Sequence, residues 1–193
     1  MSIKLIIFDF DGTLGDTRRN IVVTMQDVMK ELSLPLQDED VCASTIGLPL
    51  KGCYAKMFPQ LNADELERCA EVQRSQEISL AIASSRTSES LRDLLNRMEM
   101  LSYFSCIIGA QDIIHAKPNA EPVLKILDIL GFRADETLVV GDMAVDILMG
   151  ANAGAKTCGV TWGNGSREEL KEAGADFIID RMEDLIGVTS NNN

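Results

Sequence analysis

Apolar and polar positions along the chain follow two rhythms. Ile3, Leu5, Ile6, Ile7 and Phe8 form a short apolar run rich in β-branched residues, and it stops at Asp9-Phe10-Asp11-Gly12. Such a run suits a strand inside a parallel sheet, covered on both faces. The same reading predicts strands over residues 78–83, 106–108, 137–140, 156–161 and 177–179. Between them the apolar residues fall at helical spacing. Leu91, Leu94, Leu95 and Met98 follow Thr87, and Val123, Ile126, Leu127 and Leu130 follow Lys117-Pro118 and stop at Gly131. Strands alternating with helices predict a Rossmann-like α/β core with a parallel sheet and right-handed crossovers.

One block breaks this alternation. From the start signal Asp16-Thr17 a helical period runs through Ile21, Val22, Met25, Val28, Met29 and Leu32, and Pro35 ends it. Residues 37–58 read as short helices broken at Gly47-Leu48-Pro49, and Asn62 with Glu65 forms a capping box for another helix. The expected organisation is a core from residues 1–16 and 78–187 and an inserted helical cap, a lid without a second core, over 17–77. A disordered tail is expected over 188–193, which ends in Asn191-Asn192-Asn193.

Composition narrows the partners. The 193 residues carry a net charge of −12, which repels nucleic acid and anionic membrane. A small phosphorylated metabolite would need local positive charge to bind. No apolar run reaches membrane-spanning length, and Asp9 interrupts the N-terminal one, so neither a span nor a secretory signal is expected. The five cysteines lack a C-x-x-C spacing, which fits reduced thiols in the cytoplasm.

The candidate chemistry sits where strands end. Asp9 and Asp11 end the first strand, Ser84-Ser85 the second, and Asp142, with Asp146 one turn on, the fourth; Lys117 precedes a helix. A parallel sheet gathers such positions at one edge. Taken singly, Ser84 is a turn residue, Lys117 a helix start and Asp142 a helix N-cap. The lone histidine, His115, reads as a solvated loop residue. Together they supply what phosphoryl transfer needs. A carboxylate serves as nucleophile, a second acid moves protons, hard oxygens hold Mg²⁺, and a hydroxyl and an ammonium meet the phosphoryl charge.

Asp9-Phe10-Asp11-Gly12-Thr13 resembles the first motif of the haloacid dehalogenase superfamily, and Ser84, Lys117 and Asp142 follow in the order of its other motifs. The resemblance implies a Mg²⁺-dependent phosphatase acting through an aspartyl-phosphate. It makes Asp9 the nucleophile and a metal ligand, and Asp11 the general acid/base and, through its carbonyl, a metal ligand. Thr13 steadies the loop. Ser84 and Ser85, with Lys117 and the Gly12 and Thr13 loop, bind phosphate. Asp142 binds metal, and Asp146 supports it from behind or is itself a ligand. Gly12 and Gly141 are expected to let backbone approach the phosphate. Dehalogenase and phosphonatase members lack an acid at the place of Asp11. Thr45-Ile46-Gly47-Leu48-Pro49-Leu50 is similar to the cap segment of phosphoglycolate-phosphatase-like and β-phosphoglucomutase-like members. Leu50 stands where mutases usually carry Arg, and Thr13 where they carry Val, so a phosphatase is favoured over a sugar-phosphate mutase. The remaining alternative is a catalytically impaired relative that keeps the phosphate and metal site.

One departure from the pattern is large. Gln73-Arg74-Ser75-Gln76-Glu77 runs straight into Ile78, where the family places a further turn and a core helix. The cap is therefore expected to be shortened, with its last helix, residues 62–77, drawn partly onto the sheet. Ile78, Leu80 and Ile82 or their neighbours should lose cover, and an exposed apolar face of that kind invites self-association.

Overall fold

The computed structural model describes residues 3–14, 18–45, 50–76 and 78–190. Asp16-Thr17, the centre of the cap segment (46–49) and Asn191-Asn192-Asn193 lie outside the described residues. The chain divides into two compact units, one of Met1–Gly15 with Ile78–Asn193 and one of Asp16–Glu77.

The α/β unit holds six parallel strands: β1 (Leu5–Phe8), β2 (Ser79–Ala83), β3 (Phe104–Ile108), β4 (Thr137–Gly141), β5 (Lys156–Val160) and β6 (Phe177–Ile179). Their order across the sheet is β3-β2-β1-β4-β5-β6. Side chains alternate between two packed faces, as the pleat dictates. On one, Ile6, Phe8, Ile82, Leu138 and Val140 pack with Leu91 and Leu95 of α5 (Ser88–Arg97) and Leu185 of α9 (Asp184–Ser190). On the other, Leu5, Ile7, Ala81 and Val139 pack with Val123 and Ile126 of α6 (Glu121–Leu130) and Met149 of α7 (Ala144–Asn152). α8 (Arg167–Glu172) completes this unit between β5 and β6.

Two expectations about its edges are corrected. Residues 188–190 are not a disordered tail but the last turn of α9, where Val188 packs against the core and Thr189 Oγ1 donates to the Leu185 carbonyl at 3.2 Å. α6 begins at Glu121, not at Lys117-Pro118, which leaves Lys117 in the preceding turn.

The helical unit contains α1 (Arg18–Glu31), α2 (Glu39–Ala43), α3 (Leu50–Met57) and α4 (Ala63–Gln76). It is more than a lid without a core. Val22, Met25, Val28, Met29, Cys42, Cys53, Tyr54, Phe58 and Cys69 form a buried cluster of their own. The sequence does place the start of α4 correctly. Asn62 Oδ1 accepts the backbone N–H groups of Asp64 and Glu65 at 3.0 Å, and Glu65 accepts the N–H of Asn62 at 2.8 Å. α4 packs on α1 and α3, with Cys69 buried in their cluster. The thin stripe of Leu66 and Cys69 suffices because only one narrow face needs a partner. Among the described residues of β2 and its lead-in, the loss of cover is confined to Ile78 and Leu80, which are half-buried; Ile82 is fully buried. The uncovered sheet face expected from the sequence is thus small.

No helix among the described residues is long and apolar enough to cross a membrane. All five cysteines are buried and unbridged. Burial pushes the Cys158 thiol up to about 12. Only thiolate is reactive, so the native protein should resist iodoacetamide at pH 8 and take up five labels once denatured. Mass spectrometry reads the count, and rapid labelling of native Cys158 would contradict this packing.

Candidate active site

The site grows out of the sheet register. Phe8 pairs with Ile82 of β2 and with Val140 of β4. The next residues along these strands, Asp9, Ser84 and Asp142, therefore reach the same edge within a residue or two of each other. β1 and β4 are also where the strand order reverses, and open α/β sheets bind ligands in the crevice at such a point. The backbone N–H of Asp9 still donates to the Val140 carbonyl at 2.9 Å, and that of Ser84 to the Ile108 carbonyl at 3.1 Å. The backbone that carries each side chain is thus held by a ladder bond.

Past Asp9 the chain turns sharply, with the Thr13 and Leu14 N–H groups returning to the Phe10 carbonyl. Gly12 sits in this turn at φ +83°, and a Cβ there would collide with the Asp142 carboxylate. A Cβ on Gly141 would collide with Asp146. Both glycines make room for acids, where the sequence suggested room for a phosphate.

Asp142 is fully buried and is not a helix N-cap; Met143 takes that position in α7. Thr13 Oγ1 donates to Asp142 Oδ1 at 3.0 Å, and the backbone and side-chain N–H groups of Asn164 donate to Oδ2 at 2.7 and 3.1 Å. Trp162 Nε1 donates to the Thr13 carbonyl at 3.2 Å. The loop after β5 thus ties the β1 turn to the β4 end. Asp146 accepts the Met143 N–H at 3.1 Å.

Lys117 joins the acids. Its side chain is only 7% exposed, and its ammonium lies 2.6 Å from Asp9 Oδ1 and 2.7 Å from Asp146 Oδ1. Burial raises the Asp9 carboxyl above its ordinary value; the Lys117 charge pulls it back and Asp146 pushes it further up. Asp9, Asp142 and Asp146 present carboxylate oxygens within 4.8 Å of one another, all buried. Three buried carboxylates gather where one ammonium meets two of them, so a surplus of negative charge is held away from water. Such a surplus is costly unless a cation meets it, and hard oxygens suit a divalent one. The donor set therefore fits Mg²⁺. It includes Asp146 as a candidate ligand, one of the two roles the sequence leaves open to it.

On the β2 side, Ser84 is buried and its Oγ accepts the N–H of Arg86 at 3.2 Å. Ser85 is exposed. Asp11 is exposed too, and both its oxygens are taken by Arg86, through Nε and Nη2 at 2.7 Å each. These hydrogen bonds hold its carboxyl below the ordinary range. His115 stays on the surface, paired with Glu121 at 2.8 Å.

Asn164, Trp162 and Arg86 escape the sequence reading. Gly163-Asn164-Gly165, separated by two residues from the end of β5, is the signal that could have flagged the first. Its contribution is open to test. Asn164→Ala removes the side-chain bond to Asp142 Oδ2 and keeps the backbone one, and loss of such a supporting bond weakens metal affinity by about 10–100-fold. Calorimetric titration with Mg²⁺ should show that loss, with the fold intact by circular dichroism. Unchanged affinity would mean the Asn164 side chain takes no part in holding Asp142 for the metal.

The model of the family described as haloacid dehalogenase-like hydrolase matches residues 6–75 and 67–160. Its two segments both claim residues 67–75, next to the junction where the pattern runs short. Probable phosphatase IndB of Dickeya dadantii is 32% identical over 211 positions, covering 95% of this chain and 92% of that protein. Pyrophosphatase PpaX of Anoxybacillus flavithermus is 32% identical over 216 positions, covering 98% and 100%. Both alignments have more positions than the chain has residues, 193, so part of each relative has no counterpart here. Among solved structures, a haloacid dehalogenase-like hydrolase from Bacteroides fragilis superposes with a TM-score of 0.62 at 26% identity, covering 95% of this chain and 99% of that one.

Proposed function

The chain belongs to the haloacid dehalogenase-like hydrolases, and from that premise we propose that it is a Mg²⁺-dependent phosphatase that cleaves a small phosphomonoester through an aspartyl-phosphate on Asp9. Relatives named as phosphatases, including a phosphoglycolate phosphatase of Aquifex aeolicus at 28% identity over 97% of this chain, support the reaction class. The observation that carries the mechanism is the buried cluster of Asp9, Asp142 and Asp146 around Lys117 at the ends of β1 and β4.

In this reading an Asp9 carboxylate oxygen attacks phosphorus. The Lys117 ammonium holds Asp9 ionised against the effect of burial and offers its positive charge to the phosphoryl oxygens. The Ser84 hydroxyl donates to one of those oxygens. Asp11 gives its proton to the ester oxygen as the P–O bond breaks. It then takes a proton from the water that attacks the aspartyl-phosphate, which restores Asp9 and releases phosphate. Mg²⁺, held by Asp9, Asp142 and Asp146 with the Asp11 carbonyl, would supply positive charge against the phosphoryl group. An ester oxygen is a poor leaving group, which is why an acid at position 11 fits phosphate esters.

The stretch absent before β2 favours one second reading, a protein that keeps the metal and phosphate site without turnover. A panel of phosphomonoesters with and without Mg²⁺ separates the two. Phosphate release that requires Mg²⁺ supports the phosphatase. Metal binding by calorimetry with no release from any ester supports the second reading.

A further inference from the structure

Lys117 brings its ammonium to Asp9 and Asp146, yet its backbone lies in a turn outside any helix or strand. Apolar packing does little to hold that turn. Residues 111–121 are each exposed or half-buried, and Ile114 is 87% exposed. Polar contacts hold it instead. Glu121, the first residue of α6, turns its carboxylate back on the loop. One oxygen accepts the Ile114 N–H at 2.7 Å. The other accepts the His115 N–H at 2.8 Å and meets His115 Nδ1 at 2.8 Å. The Glu121 N–H donates to Asn119 Oδ1 at 2.9 Å, and the Asn119 N–H to the Ala116 carbonyl at 3.0 Å. On the far side, Asn152 of α7 donates to the Pro118 carbonyl at 2.9 Å. Lys125 of α6 donates to the Asp112 carbonyl. Lys117 thus sits between the residues that Glu121 grips and the one that Asn152 grips. The helix dipole alone favours an acid in the first turn of α6. It does not account for bonds reaching six and seven residues upstream. The Ile114 N–H, and after it the His115 N–H, hold the Glu121 carboxyl below its ordinary range, so it is ionised at neutral pH.

We propose that Glu121 is a positioning residue for the reaction: it fixes the loop that carries Lys117, so that the ammonium stands between Asp9 and Asp146. This rests on the phosphatase reading above, in which the Lys117 charge meets the phosphoryl oxygens. Glu121 acts through the loop and makes no contact of its own with the reacting atoms. Lys117 reaches the acids from the end of a flexible four-carbon stem. The position of its backbone therefore decides whether the 2.6 and 2.7 Å contacts are kept. Misplacement of a catalytic group by about 1 Å costs about 10²-fold in rate.

The test pairs kinetics on p-nitrophenyl phosphate with lysine labelling of the metal-free protein. Glu121→Ala should lower kcat/KM by about 10²-fold. Glu121→Gln keeps one acceptor oxygen for one of the two N–H groups and should lose less. Brief treatment with acetic anhydride, read by mass spectrometry, should label Lys117 several-fold faster in Glu121→Ala than in wild type, where its side chain is 7% exposed. The exposed Lys4 and Lys156 should react as before. A residue that only stabilised the fold would leave Lys117 as protected in the folded variant as in wild type. If Glu121→Ala does not fold, Glu121→Gln carries both readings. Unchanged kcat/KM, or lost activity with Lys117 still protected, overturns the proposal. No phosphate release by wild type with Mg²⁺ overturns the phosphatase reading and with it the role in the reaction. The labelling needs no turnover, so it still decides whether Glu121 holds Lys117 in place.

Discussion

Asp9→Asn abolishes phosphate release, with a loss of at least about 10⁴-fold, the scale expected when a nucleophile is removed. The amide keeps the size and shape of the carboxylate but cannot form the acyl-phosphate and is a weaker metal ligand. The fold survives for a specific reason. Burial raises the Asp9 carboxyl above its ordinary value, so at neutral pH its ionised form weighs against the folded state of the metal-free protein. Asn removes that charge, and Lys117 keeps Asp146 as partner. The Tm without metal should therefore hold or rise, while the stabilisation by added Mg²⁺ shrinks. Calorimetry with and without Mg²⁺ checks this beside the activity assay. A variant that merely unfolds would lower the metal-free Tm, and near-normal turnover would remove Asp9 from the mechanism.

Asp11→Asn should cost about 10²–10⁴-fold on alkyl phosphates, the usual range for general acid–base catalysis. The loss should be much smaller on p-nitrophenyl phosphate in the first step, because nitrophenolate leaves without a proton. Mg²⁺ affinity should change little, since the expected metal contact of residue 11 is its carbonyl. The side chain is exposed and bonded to Arg86, so nothing buried is disturbed. Steady-state kinetics on matched alkyl and aryl esters, with metal titration alongside, reads all three. Equal losses on both ester types would make Asp11 a structural residue.

The strands were legible because each is a short apolar run ended by a polar residue. Asp9, Ser84 and Asp142 were legible because they fall at those ends, where register alone brings them together. Two kinds of feature were not. The first depends on contacts between distant loops. Asn164 grips Asp142 from the loop after β5, and nothing in the local pattern says which strand end a glycine-flanked Asn will reach. Arg86 likewise reads as a helix-approach residue until the two turns are placed side by side. The second is competition for a helix face. The stripe of Leu66 and Cys69 in α4 is thin, and sequence cannot decide whether the sheet or the neighbouring helices take it. The cluster formed with α1 and α3 takes it, because those helices already present Val22, Met25, Cys53 and Tyr54. The Lys117 partner of Asp146 was also hidden. Its spacing from Asp142 shows the shared helix turn, but the bond to Lys117 comes from across the sheet edge.

The most direct measurement is a covalent trap on the nucleophile. Protein mixed with Mg²⁺ and a phosphomonoester, acid-quenched within milliseconds and digested, should carry one phosphoryl group on the peptide that contains Asp9. Borohydride should then convert residue 9 to homoserine. Turnover with the phosphoryl group on another residue, or with no phosphorylated peptide under conditions where the first step outruns the second, would contradict the account.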